Sequence, residues 1–412
     1  MRGSGIAELS RCALENALRR TTERLAAEAA SPTPVAPEWT EPEWRVARAV
    51  AAIHGIAPLL RWQLRWRGPE EWERFLSHEW GLEQQRHRRI TELLGFLREG
   101  LRSAGVPAVA LKGAALYGTG LYRPGERPMA DVDLLVHPGD VTGAAGMLGT
   151  LGFEESCRDW KNRVFSVREG GAFWRPAQPG DHPIKIELHE RICERLPVRA
   201  ADISMCVLPQ HASAGLNPYP SRGSLIAHLL FHAAGSLVDR LLRFIQLHDI
   251  ALLAGVATDE DWGEVLRIGT GEGSPWWAFP PLALTARYYP GFVPSWVLDA
   301  ARTTCPGILR RISLRQRLSN ASLSFPWIEA FPGLAWCRSP AEALEYVAQR
   351  ILGGREAATL RGVASTAEPG LSARERRWLA VPQGVRIVRW LVSRPARPLT
   401  MRVVRSSFGI SS

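Results

Sequence analysis

The chain has 412 residues, 22% charged and 46% hydrophobic, with a formal net charge of +10. Such a composition describes a globular protein of two or three domains and excludes a disordered chain. The positive charge invites a nucleic-acid reading. Only three of the 51 basic residues are lysines, however, a skew that fits a GC-rich coding bias better than a selected binding surface.

Residues 1–20 carry charges throughout and lack the apolar core of a signal peptide. The best apolar stretch, Leu225 to Val238, is short and holds His228 and His232, so no membrane span is expected. Cys12, Cys157, Cys193, Cys206, Cys305 and Cys337 form no CxxC pair and read as free, mostly buried thiols of a cytoplasmic protein.

Residues 31–43 are proline-rich and read as a linker after an N-terminal helix. From Trp44 to Arg67, Val46, Val50, Ile53 and Ile56 recur at helical spacing. Pro69 suits the first turn of the next helix, or of two in series, running to the stop offered by Gly105 and Pro107. The period then changes. Ala108 to Leu111 predicts a strand, followed by a helix from Ala114 to Leu121, and Asp131 to Val136 predicts a second strand. Asp140 is placed to cap a helix to Leu151. The segments 163–167 and 172–175 flank a plausible hairpin turn, and Ile184 to His189 alternates as another strand. Residues 224–254 predict a helix broken near Gly235. The remainder is mainly helical, and residues 371–412 carry nine arginines against Glu375, a packed helix with a basic face and then a tail.

Asp131 and Asp133 share one face of their strand, while Val132, Leu134 and Val136 share the other. Neighbouring carboxylates repel each other unless a cation sits between them. Mg²⁺ suits such a site, because it takes one or two carboxylates plus phosphate oxygens of a substrate. A strand ending in Lys112-Gly113 and feeding a helix presents backbone N–H groups to an anion, with Lys112 adding a mobile charge. In the Ile184–His189 strand, Lys185, Glu187 and His189 share a face. Glu187 is thus the candidate for a third carboxylate able to take a proton from an acceptor, with His189 positioning that acceptor or a water. His228 and His232 stand four apart but lack the glutamate of a zinc-protease helix, so they read as buried or substrate-facing. Asp249 is expected to pair with an arginine such as Arg243.

Leu111-Lys112-Gly113 followed by Arg127-Pro128-Met129-Ala130-Asp131-Val132-Asp133-Leu134-Leu135-Val136 resembles the signature of the polymerase-beta-type nucleotidyltransferases. More narrowly, it is similar to the bacterial uncharacterised nucleotidyltransferase family, over roughly residues 45–265. The resemblance implies an α+β fold, a small mixed sheet with large helical N- and C-terminal flanks. It implies Asp131, Asp133 and Glu187 as catalytic residues and metal ligands, with Lys112, Gly113 and Arg127 on the nucleotide. It further implies Mg²⁺, in a possible two-metal site, and an NTP as substrate. The expected divisions are 1–43, a helical lead-in 44–105, the catalytic core 106–205, an acceptor-side region 206–270 and a helical region 271–412.

The acceptor is expected to be a small molecule or natural-product intermediate rather than nucleic acid. Two alternatives stay open: an RNA-tailing enzyme, and a nucleotide- or RNA-binding protein with a degraded centre. Ala114 favours the latter, since related enzymes commonly carry serine there.

Overall fold

Four helices precede the first strand in the computed structural model, which describes residues 10–158, 161–170, 173, 183–268, 275–352 and 381–410. They are α1 (Arg11–Ala30), α2 (Glu41–His54), α3 (Ala57–Gln63) and α4 (Glu70–Ser103). Glu43 reaches back to accept the Thr40 N–H at 3.0 Å, which fixes the start of α2. The helical period expected from Trp44 to Arg67 is cut by Gly55, whose φ of +65° ends α2 with a left-handed residue. Beyond it, α4 runs unbroken for 34 residues. Gly105, at φ +69°, and Pro107 lie just past its end.

The sheet holds β1 (Pro107–Ala110), β2 (Asp131–Val136), β3 (Phe153–Arg158), β4 (Asn162–Val167), β5 (Lys185–His189) and, after a short β6 (Cys193–Arg195) and β7 (Ala200–Asp202) ribbon, β8 (Gly215–Asn217). Its order is β3-β4-β5-β2-β1-β8. The β2–β5 and β1–β8 pairs are parallel and the others antiparallel. This is the α+β architecture read from the sequence, a small mixed sheet between helical flanks. β3 was not anticipated, because Glu154, Glu155 and Arg158 break the apolar alternation of an edge strand that is exposed over most of its length. β4 pairs with β3 and β5. The hairpin arm expected at 172–175 lies outside the described residues, Phe173 excepted.

The pleat separates two cores. Val132, Leu134, Val136, Ile186 and Leu188 pack with Ile90, Leu93 and Leu97 of α4 and with α6 (Val141–Thr150). On the opposite side, Val109, Leu111 and Leu135 join a larger helical core. That core includes Val207 of α7 (Ser204–Val207), α8 (Arg222–Val238), α9 (Phe244–Ala254), α10 (Asp259–Arg267) and α11 (Phe279–Tyr288). It also takes in Leu18 and Val50 from the N-terminal helices and Met401 and Val404 from the helix Pro398–Ser407. The break expected near Gly235 falls three residues beyond it, between Val238 of α8 and Phe244 of α9. Gly235 itself lies in the last turn of α8, where a side chain would run into Glu194.

None of the six cysteines is joined to another by a disulfide, although only Cys305 is buried and Cys12 is exposed. Among the described residues no helix is long and apolar enough to cross a membrane.

Candidate active site

The parallel register of β2 and β5 sets Asp133 directly beside Glu187, and Leu135 beside His189. Adjacent strands in register project neighbouring side chains from one face. The carboxylates read separately from two segments therefore meet. Asp133 Oδ1 accepts from Lys112 Nζ at 2.7 Å and from His189 Nε2 at 2.9 Å. His189 Nε2 also stands 3.7 Å from Glu187 Oε2, which accepts from Asn162 Nδ2 on β4. Asp133, Glu187 and His189 each offer an atom within 4.8 Å of the others, a cluster able to hold a metal ion. Asp131 lies one step outward on the same face, less buried and outside that cluster.

The electrostatics follow from crowding. Burial pushes Asp133 up, but Lys112 and His189 outweigh it and hold the carboxyl well below the usual range. Burial and the negative charges of Asp133 and Asp131 push Glu187 up to about 7. Burial and Asp133 raise Asp131 as well. Three acids of unequal proton affinity thus share a pocket with one ammonium, a pattern found at metal and acid–base centres.

Lys112 takes a φ of +49°, a left-handed conformation costly for a residue with a side chain. Such strain persists only where the surroundings over-determine it. Here the Leu111 N–H donates to the Asp133 carbonyl at 2.9 Å, and Lys112 itself is drawn onto Asp133. The helix that follows, α5 (Lys112–Tyr117), is only six residues long, against the longer one expected from Ala114 to Leu121. Gly113 is needed because Arg127 lies against it: a β-carbon there would come within 2.1 Å of the guanidinium. Arg127 itself is buried in a two-pronged pair with Asp249, at 2.8 and 2.7 Å. Tyr122 donates to the same carboxylate at 2.6 Å. The partner of Asp249 is therefore Arg127 and not Arg243.

Burial pushes the pKa of His228 and His232 down. His228 is bonded to the Tyr219 hydroxyl at 2.6 Å, and His232 faces Glu194 at 3.5 Å. Each histidine thus has its own partner in a different part of the chain. Asn162 and the direct bond of His189 to Asp133 escaped the sequence reading. The signal for Asn162 was its place at the head of an alternating strand, which says nothing of which strand it joins.

The model of a family described as "Uncharacterised nucleotidyltransferase" matches residues 40–274. No curated protein and no solved structure matches the chain.

Proposed function

Since the chain belongs to the uncharacterised nucleotidyltransferase family, we propose that it transfers NMP from an NTP to a hydroxyl of a small-molecule or natural-product acceptor, with Mg²⁺ as cofactor. The observation that carries this reading is the pairing of Asp133 with Glu187 across β2 and β5, beside Lys112 and His189. The donor chemistry fits a divalent ion: carboxylates of Asp131, Asp133 and Glu187 suit Mg²⁺, and the His189 nitrogen would also suit Mn²⁺. When bound, the ion supplies neutralisation of phosphate charge and a lowered pKa of the attacking oxygen.

The chain's own residues supply the rest. Glu187 takes the acceptor's proton as its oxygen bonds to the α-phosphorus. The bond from that phosphorus to the bridging oxygen breaks, and pyrophosphate leaves with the electron pair. A base with a pKa near 7 is matched to this task at neutral pH. Asn162 fixes one Glu187 oxygen, leaving the other for the proton. Lys112 faces the polyphosphate. Arg127 and Gly113 act by position, locking the turn before β2 onto α9. The segment 106–205 is the catalytic core, and 206–270 walls the acceptor side. Ala114, 6% exposed, packs in the apolar layer with Ala110 and Met129, so the missing hydroxyl at that position weighs little in favour of a degraded centre.

The test is thermal stabilisation by ATP, GTP, CTP and UTP with and without Mg²⁺. A ligand at 100 times its Kd adds about 2.7 kcal/mol. The expected outcome is metal-dependent stabilisation by at least one NTP, lost in D131N/D133N and at most weakened in E187Q, which fails to turn over. Stabilisation by no NTP would sink the proposal.

A further inference from the structure

Two of the cations expected at the nucleotide are already engaged, Lys112 with Asp133 and Arg127 with Asp249. Arg243, which immediately precedes α9, is not. Its Nε donates to the Ile53 carbonyl in the last turn of α2 at 3.0 Å. Its Nη2 presses on Gly55, where a β-carbon would stand 2.8 Å away. One N–H thereby anchors the group, and the flat end of the guanidinium keeps donors to spare. No carboxylate among the described residues is bonded to it. Asp131, Glu83 and Asp249 act on it only through space, while Arg127 repels it. Glu83 is a poor counter-ion: burial pushes it up to about 7, and its buried Oε2 has no hydrogen-bond partner among the described residues.

A half-buried cation beside a like charge is costly unless an anion completes it. The anion must fit a planar fork of N–H donors and lie near Asp131, which describes phosphate oxygens. We propose that Arg243 grips the polyphosphate tail of the nucleotide, in a subsite between Asp131 and the C-terminal end of α2. The inference rests on the nucleotidyltransferase reading above.

A residue that only capped α2 would affect stability and every ligand alike, so the test compares ligands. The full chain with Mg²⁺ is titrated calorimetrically with inorganic tripolyphosphate, the four NTPs and the four NMPs, as wild type, R243Q and R243K. R243Q is expected to lose about tenfold or more in affinity for tripolyphosphate and NTP, the scale of a charged hydrogen bond, and less than about twofold for NMP. If R243Q does not fold, R243K is decisive: it keeps the charge but loses the fork, and a drop of about threefold for tripolyphosphate and NTP alone is expected. Unchanged tripolyphosphate and NTP binding in the folded variant overturns the inference, as does an equal loss for NMP. Wild type that binds none of the four NTPs overturns the proposed function itself. Wild type that binds an NTP while both variants bind it equally well overturns only the role of Arg243.

Discussion

His54 shows how a single buried side chain couples stability to pH. Its Nδ1 accepts the Phe244 N–H at 3.0 Å, which requires a neutral ring, and it is fully buried. Burial, helped by the charge of Arg243, lowers its pKa from 6.5 to about 3. Below pH 6.5 the unfolded chain takes up a proton that the folded chain refuses. Stability present above 6.5 is therefore lost as pH falls toward 3. In H54Q the amide oxygen can accept the same N–H without titrating. Its melting temperature is expected to fall less than that of wild type between pH 6.5 and 4, and parallel curves would contradict this account. At this scale the sequence was legible for Asp131, Asp133 and Glu187 as a face, because strand alternation is a local rule. It was silent on Asn162 and on the bond between His189 and Asp133, since both depend on the register between strands far apart in the chain.

The Arg127–Asp249 pair joins elements: it ties the turn before β2 to α9, with Tyr122 as a third member. The two side chains are 9% and 1% exposed, so removing one leaves the other as a buried, unpaired charge. D249A is expected to cost about 3–5 kcal/mol in urea unfolding, and replacing both residues with leucine should restore part of that. A cost below about 1 kcal/mol, the level of a surface ion pair, would show that the pair is solvated. β2 was read with its true bounds, Asp131 to Val136, because both faces carry strong signals. Gly235 marked the neighbourhood of the helix end and not its place, because glycine ends a helix only when backbone conformation demands it. Here it makes room for Glu194, a tertiary demand that no local pattern records. Arg127 was likewise visible as a residue and invisible as a partner, since Asp249 lies 122 positions away.

Across the whole molecule, the family match ends at residue 274 while the core does not. Val404 is fully buried in the same apolar core as Leu18 and Val50. The helix carrying it also packs on the N-terminal half: Arg48 donates to the Ser407 carbonyl at 2.9 Å. Val404→Asp should therefore lower unfolding free energy by at least about 3 kcal/mol, the cost of burying an unpaired charge. A change under about 0.5 kcal/mol, typical of a surface site, would mean that this helix is peripheral. The sequence foretold the helical flanks and the sheet between them. It could not foretell that helices more than 350 residues apart share one core, since amphipathic faces reveal that they are covered but not by what.

The bond between Lys112 and Asp133 carries a last consequence. With the ammonium 2.7 Å from the carboxylate, Asp133 holds an internal counter-ion before any ligand arrives. A divalent ion coming alone must displace an internal counter-ion and leave it stranded, while a polyphosphate coming alone meets a lysine already committed. Under the proposed function the two arriving together would each supply what the other's entry disturbs, Asp133 passing to the ion and the freed ammonium to the phosphate. Binding free energies coupled in this way are reciprocal. On the proposed function, the lysine would make the site respond to coincidence, filling steeply when both ligands are present and weakly when either is absent.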